Sequence, residues 1–363
     1  MERSANAAHV PLPHERGSLG RFAIPGAISA VMLRLLIFPV LPLLFVGHYS
    51  GPPRRPVLGG DVRVEAQPIV LDARDPERRQ IGPLVFLGGW ELKGRDDAFG
   101  GFSAMATTNG RLQFLTDAGG LVNLKIDGAG RVENIRFADL PGGPGRGWLK
   151  EDRDTESMAR DPETGRVWIG FERVNAIWRY SRDLKRVEAS AQPLAMRDWP
   201  ENGGAEAIVR LRSGRFLVFS ERAGASNTAP GFQALAFDRD PTDPAAQVTR
   251  FAYRPPRGYR VTDAVEMADG RLLLLHRKIA FRPYLSARLT LLDPSEIRAG
   301  AVLLVHEIAR FDPPLAVDNM EAMALEEDGR GGQILWIASD DNFRSPFQRN
   351  LLLKFALMPI PAS

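Results

Sequence analysis

Short apolar runs that end in polar residues recur along most of the chain. Five segments share one order: a short opening motif, a turn with glycine beside polar residues, and an apolar strand. They read GFSAMATTNGRLQFLTDAG from Gly101, DTESMARDPETGRVWIGFER from Asp154, GAEAIVRLRSGRFLVFSER from Gly204, TDAVEMADGRLLLLHRK from Thr262 and DNMEAMALEEDGRGGQILWIASDDN from Asp318. Alternating small and polar residues followed by a glycine turn are typical of a β-hairpin. The pattern therefore predicts an all-β chain.

The repeat length indicates the architecture. Taking Ser103, Glu156, Glu206, Asp263 and Glu321 as equivalent positions gives spacings of 53, 50, 57 and 58 residues. A period near 50 suits one four-stranded blade of a β-propeller. We predict a single propeller of five such blades, and a sixth would need further strands from residues 57–81.

The two ends of the repeat region complete each other. The last repeat stops at its third strand, and Gly82 to Leu92 has the pattern of an outermost strand but no blade of its own. We predict that this segment closes the ring by pairing with Asn350 to Leu357, which would remove the exposed sheet edges. The predicted organisation is an N-terminal export region at 1–50, a linker and lead-in strand at 51–80, and the propeller at 81–360.

The N-terminal region has the pattern of an export signal. An apolar run from Leu35 to Val46 follows Arg34 and contains two prolines. A run of roughly 12 apolar residues fits a signal-peptide core and is shorter than the roughly 20 that span a bilayer. We predict an exported protein, periplasmic or anchored by this segment, with no other membrane contact. Translation from Met32 is an alternative start.

Composition excludes several classes of site and partner. The chain has no cysteine, so it has no thiolate metal ligand, disulfide or cysteine nucleophile. The formal charge is only +3, with 47 basic and 44 acidic residues interspersed. Nucleic-acid binding usually needs a clustered basic excess, so we expect no nucleic-acid partner. The segment GFSAM lacks the second glycine of a serine-hydrolase elbow. We expect a monomer.

The repeats resemble the esterase-like phytase family of β-propeller proteins over about residues 80–357. The matching pieces are the glutamate motifs TESM, AEAI and MEAM and the strand ends FSER and SDDNF. The resemblance implies a propeller, an exported location, and cleavage of phosphate or carboxylic esters. Propeller phytases, which the family resembles in architecture, use calcium held by carboxylates, but their metal-binding segments have no extended match here.

The repeat can place one side chain per blade on the axis. Several carboxylates held that close need a cation, an arginine or raised pKa values. Oxygen-rich sites suit calcium, which is the cation we expect, and arginines can bind a phosphate bidentately. The predicted metal ligands are Asp117, Glu156, Glu206, Glu221, Asp263, Glu321, Asp340 and Asp341. The predicted substrate-binding residues are Arg173, Arg222, Arg277 and Arg344, and the predicted catalytic residues are Glu156, Glu206, Glu321 and His276.

Two classes of function remain open from the sequence. The first is a metal-assisted hydrolase of small phosphate or carboxylic esters, with a lactonase-like enzyme as a variant. The second is a non-enzymatic propeller that binds a ligand or protein at the same mouth. Carboxylates from different blades converging on one point would favour the first. Carboxylates that each accept backbone N–H groups between blades would favour the second.

Overall fold

The computed structural model describes residues 54–225, 231–282, 284–343 and 348–361. The predicted export region and Arg344 lie outside these residues. Within the described chain, no helix combines the length and apolar character that crossing a membrane requires. Its only helices are three single 3₁₀ turns, at Lys150–Asp152, Leu194–Met196 and Pro294–Glu296.

Strands make up most of the described chain. In chain order they are β1 (Val64–Pro68), β2 (Gln80–Ile81), β3 (Leu84–Gly94), β4 (Phe102–Thr108), β5 (Arg111–Thr116), β6 (Gly120–Ile126), β7 (Val132–Asp139), β8 (Thr155–Arg160), β9 (Val167–Phe171), β10 (Ala176–Tyr180), β11 (Val187–Ala191), β12 (Ala205–Arg210), β13 (Phe216–Gly224), β14 (Phe232–Phe237), β15 (Val248–Arg254), β16 (Arg260–Glu266), β17 (Leu272–Ile279), β18 (Leu285–Leu292), β19 (Val302–Leu304), β20 (His306–Phe311), β21 (Met320–Glu327), β22 (Gln333–Ser339) and β23 (Leu351–Leu357).

These strands form five sheets, each a blade of one propeller, and their pairings are antiparallel except that of β15 with β19. The blades are β4–β7, β8–β11, β12–β15 with β19, β16–β18 with β20, and β21–β23 with β3, β1 and β2. The first strand of each blade is innermost, and each inner strand contacts the next around a closed ring. The prediction of five blades is confirmed. Residues 57–81 supply β1 and β2, which widen the fifth blade instead of forming a sixth.

The N-terminal strand closes the ring as the sequence predicted. Strand β3 pairs antiparallel with β23, from Leu84 opposite Leu357 to Glu91 opposite Leu351. Buried apolar side chains form five clusters, one at each interface between neighbouring blades. The fifth blade therefore depends on both ends of the chain, because Phe86 of β3 packs on Phe355 of β23 with ring centroids 5.6 Å apart.

One segment differs from the sequence prediction. The pattern of AVLLVHEIARF fits a single outermost strand, but the structure divides it between two blades. Strand β19 runs parallel to β15 on the edge of the third blade, and β20 completes the fourth. The edge of the third blade is thereby covered, which alternation of apolar residues alone could not indicate.

Candidate active site at one end of the central channel

Every inner strand contains a β-bulge at the same position. One residue has no partner on the neighbouring strand, and these residues are Ser103, Glu156, Glu206, Thr262 and Glu321. A bulge redirects a side chain out of the regular alternation of a strand. Three glutamates from three blades are therefore turned towards one end of the channel.

The fourth blade corrects the sequence alignment by one residue. Thr262, not Asp263, occupies the bulge, and Asp263 pairs opposite Leu275. Its two carboxylate oxygens accept the backbone N–H groups of Ala264 and Met323, both at 2.7 Å. Asp263 is thus an acceptor between blades and lines the opposite end of the channel. The spacing to the turn glycine does not decide between the two residues. Thr262 precedes Gly270 by eight residues, as Glu206 precedes Gly214, but Asp263 precedes Gly270 by seven, as Ser103 precedes Gly110.

The same one-residue shift moves His276 away from the mouth. His276 is fully buried, its Nε2 lies 2.8 Å from Thr290 Oγ1, and burial lowers its pKa to about 3. Arg277 instead stands where the other second strands end in acids. Those equivalent acids are Asp117, Glu172, Glu221 and Asp340.

The bulges and strand ends together enclose a cavity of about 150 Å³. Its walls are almost entirely polar: Ser103, Asp117, Lys150, Glu156, Glu172, Asn202, Glu206, Glu221, Arg222, Arg277, Glu321, Asp340 and Asn342. We call it the acidic cavity. Seven carboxylates face three basic groups in it, so its full ionisation would leave an uncompensated negative charge.

Arg277 is the shared counter-charge of three glutamates. Its Nη1 lies 2.9 Å from Glu321 Oε1, and its Nη2 lies 3.4 Å from Glu221 Oε1 and 3.9 Å from Glu206 Oε1. Nη1 also donates to Asn319 Oδ1 at 2.9 Å. The guanidinium predicted to bind substrate is therefore largely committed to the protein.

A second basic group serves the other side of the acidic cavity. Lys150 Nζ lies 3.0 Å from Asp117 Oδ2 and 2.7 Å from Asp154 Oδ1. Sequence reasoning missed Lys150 because it lies in the connection between two blades and has no equivalent in the repeat. It also missed Asp154, two residues before Glu156. Arg173 Nε stands 3.6 Å from Asp154 Oδ2 at the rim.

Three carboxylates converge closely enough to share a cation. One oxygen each from Asp154, Glu156 and Glu172 lies within 4.8 Å of the others. All three belong to the second blade, so this cluster is not a convergence of carboxylates from different blades. Glu172 also accepts the backbone N–H of Gly203. Among the described residues, Glu156 has no hydrogen-bond or ion-pair partner, and the buried Oδ1 of Asp117 has none either. These free carboxylate oxygens are suited to binding a cation.

Burial and mutual repulsion raise the pKa values of several acids in the cavity. Burial first, and then neighbouring carboxylates, place the pKa of Glu156 and Glu206 well above the ordinary range. Burial raises the pKa of Glu172 and Glu321 to about 7, although Arg277 opposes the shift at Glu321. It raises that of Asp117 to about 6 against the charge of Lys150. Burial and the neighbouring carboxylates also raise the pKa of Asp340.

These shifts predict that the cation-free protein loses stability as pH rises from 5 to 8. A carboxyl with a folded-state pKa above its unfolded value of about 4.5 binds its proton more tightly when folded, so its stabilisation is lost as pH climbs through about 7. We expect the Tm to fall by at least about 5 °C over this range in EDTA, and calcium to restore most of it. A Tm that is constant or rises with pH would contradict this electrostatic account.

The remaining predicted residues lie around the acidic cavity or away from it. Asp341 holds the chain together locally, because its Oδ1 accepts the N–H of Gly101 at 3.0 Å and its Oδ2 the side-chain amide of Asn350 at 2.9 Å. Arg222 lies on the cavity wall with 53% of its side chain exposed, and its Nε contacts Glu221 Oε2 at 2.7 Å. Of the predicted arginines, Arg222 is thus the best placed to meet a substrate.

Fold and site define a five-bladed propeller whose channel ends in a carboxylate-rich cavity. The chain belongs to the phytase-like family described as "esterase-like activity of phytase", whose sequence model matches residues 97–343. That range covers more than half of the chain, and the match confirms the resemblance that the sequence motifs indicated. Comparison with curated proteins gave no match.

Several solved structures are similar in architecture. A gluconolactonase from Xanthomonas campestris shares 14% identity, with a TM-score of 0.40 over 86% of this chain and 90% of that one. Regucalcin, a calcium-binding protein from Agrobacterium tumefaciens, shares 11% identity, with a TM-score of 0.40 over 85% and 97%. A luciferin-regenerating enzyme shares 10% identity, with a TM-score of 0.42 over 80% and 97%. Such low identities and TM-scores say nothing about the chemistry of the cavity.

Proposed function

We propose that the protein is a hydrolase of small phosphate or carboxylic esters that works in the acidic cavity with a divalent cation. The observation that carries the proposal is the convergence of Asp154, Glu156 and Glu172 of the second blade, the last two of which line a cavity where acids outnumber bases. Membership of the phytase-like family, described by esterase-like activity, supports an ester as the substrate.

The donor set suits a hard cation. All three converging groups offer carboxylate oxygens, and calcium takes six to eight oxygen ligands in flexible geometry. Asp117, with one buried oxygen that has no partner among the described residues, extends the set. A bound divalent cation would polarise the carbonyl or phosphoryl oxygen of the ester.

The protein's own residues have separate tasks in this scheme. Arg222, exposed at the wall, binds the anionic part of a phosphate or carboxylate substrate. Arg277 keeps Glu206, Glu221 and Glu321 in place. Glu321, which lines the acidic cavity, can donate a proton to the leaving oxygen when its carboxyl is protonated. The small cavity admits one ester group and leaves the rest of the substrate outside.

The test is an activity panel on the full chain after treatment with EDTA. We expect calcium to bind the stripped protein in calorimetry and to restore hydrolysis of at least one of p-nitrophenyl phosphate, p-nitrophenyl acetate, p-nitrophenyl butyrate and a small lactone. Absence of calcium, magnesium and manganese binding, together with absence of hydrolysis, would overturn the proposal.

Two observations favour the alternative of a non-enzymatic binding propeller. Arg277 is already paired with three glutamates, and Glu172 accepts a backbone N–H from the next blade, as in a purely structural network. Cation binding without hydrolysis of any substrate in the panel would support this second function.

A further inference from the structure

The central channel has a second and larger cavity at the end opposite the acidic one. It measures about 470 Å³, within the range of small-molecule sites. The acidic cavity lies at the N-terminal halves of the inner strands, and this second one lies at their C-terminal ends. All five inner strands contribute to its wall. We call it the distal cavity.

The inner wall of the distal cavity is apolar. Met105, Met158, Ile208, Met323 and Leu325 line it, one or two from each of four blades. Three of these five residues are methionines, whose side chains also belong to the clusters between blades and present only a small part of their surface to the cavity. The chemistry of this wall is unlike that of the acidic cavity and suits a hydrocarbon chain or ring.

The rim carries an arginine whose charge has no acidic partner. Arg160 donates from Nη1 to the carbonyl oxygens of Gly165 at 3.0 Å and Arg182 at 3.2 Å, and from Nη2 to Gln113 Oε1 at 2.6 Å. All three acceptors are neutral. Burial lowers the pKa of Arg160, and the neighbouring charge of Arg182 lowers it further. A bound anion would stabilise the charged form of Arg160 against both its burial and the repulsion by Arg182.

Arg182 stands beside Arg160 because a glycine leaves room for it. Gly165 has φ +75°, and a Cβ at this position would lie 2.5 Å from Arg182 Cγ. The stem of Arg182 therefore crosses bare backbone at the rim. No ion pair of Arg182 occurs within the part of the chain that the structure describes. Two adjacent guanidinium groups thus face the entrance without a counter-charge.

The acids of the distal cavity are already engaged. Asp161 accepts from Thr164 Oγ1 at 2.6 Å and lies 3.4 Å from Arg210, and Glu266 accepts the N–H of Arg212 at 2.7 Å. Asp263 accepts two backbone N–H groups. Of the four arginines that line the cavity, Arg210 forms an ion pair with Asp161, and the guanidinium of Arg212 donates to the carbonyl oxygens of Met267 and Ala268. Positive charge is therefore in excess, and Arg160 and Arg182 are the two arginines that lie next to each other.

We propose that the distal cavity binds a small anionic amphiphile, of which a medium-chain carboxylate is the representative. The carboxylate lies between Arg160 and Arg182, and the hydrocarbon chain lies along the methionine-rich wall. Removal of a charge-assisted hydrogen bond costs about 1.5–3 kcal/mol, so loss of either guanidinium should weaken binding about 10- to 100-fold.

The experiment measures binding of dodecanoate and of neutral dodecanol to the full chain, by calorimetry below their micellar or solubility limits. Arg182→Gln changes an exposed residue and should leave the fold intact while weakening dodecanoate binding at least tenfold. Dodecanol binding should be unaffected by Arg182→Gln. Arg166→Gln is the matched control, because Arg166 contacts Glu188 at 2.9 Å and does not line the cavity; dodecanoate binding should not change.

The outcomes separate this site from the proposed hydrolase. Dodecanoate should bind equally well with EDTA and in Glu156→Gln, because neither affects the distal cavity. No saturable binding of dodecanoate to the wild-type chain, or binding that Arg182→Gln and Arg160→Gln both leave unchanged, would overturn the proposal whatever the activity panel shows.

Discussion

Replacing Arg277 with methionine should lower the free energy of unfolding by about 3–5 kcal/mol at pH 7.5. Methionine retains part of the volume of the side chain but leaves Glu206, Glu221 and Glu321 buried without their shared cation. Urea unfolding at pH 7.5 and pH 5 measures the effect. We expect a smaller loss at pH 5, where the carboxyl of Glu321 is protonated.

Two further variants distinguish lost charge from lost packing. Arg222→Met removes an arginine that is 53% exposed, so its cost should stay below about 1 kcal/mol. Adding Glu206→Gln to Arg277→Met removes one of the uncompensated charges and should recover part of the stability. If the double variant is no more stable than Arg277→Met at pH 7.5, Arg277 stabilises the fold mainly through packing.

Replacing Glu156 with glutamine should weaken calcium binding by about 10- to 100-fold or more and reduce ester hydrolysis at least as much. Glutamine keeps the shape of the side chain but removes the anionic oxygen that faces Asp154 and Glu172. The cation-free variant should be more stable than the wild type at pH 8, because the raised pKa shows that the charged form of Glu156 is unfavourable there. Calorimetry with calcium and thermal unfolding in EDTA measure the two effects.

Asp263→Asn is the matched control for Glu156→Gln. Asp263 is also a buried acid of an inner strand, but its oxygens accept backbone N–H groups and it does not line the acidic cavity. Its replacement should cost about 1–3 kcal/mol of stability and leave calcium affinity unchanged. The opposite pattern, with Glu156→Gln destabilising the fold and Asp263→Asn losing calcium binding, would show that the cation site does not include Glu156.

The sequence by itself determined the architecture. Each blade repeats the same hairpin. Hydrophobic periodicity and turn glycines are local features, so they can be recognised in a single sequence. The closing strand was also predictable, because a final repeat lacking an outer strand and an unpaired strand before the first repeat have one simple solution. The acids at Glu156, Glu206, Glu221 and Glu321 followed from the same repeat.

Only the tertiary structure decided which of these acids act together. A register difference of one residue in the fourth blade exchanges Asp263 for Thr262 and His276 for Arg277, and side chains one position apart on a strand face opposite directions. Lys150 reaches Asp117 and Asp154 from a connection outside the repeat, so no periodicity could reveal it. The distal cavity likewise arises because the ends of five inner strands meet around one axis. These ends are far apart in the sequence, so their proximity is visible only in the structure.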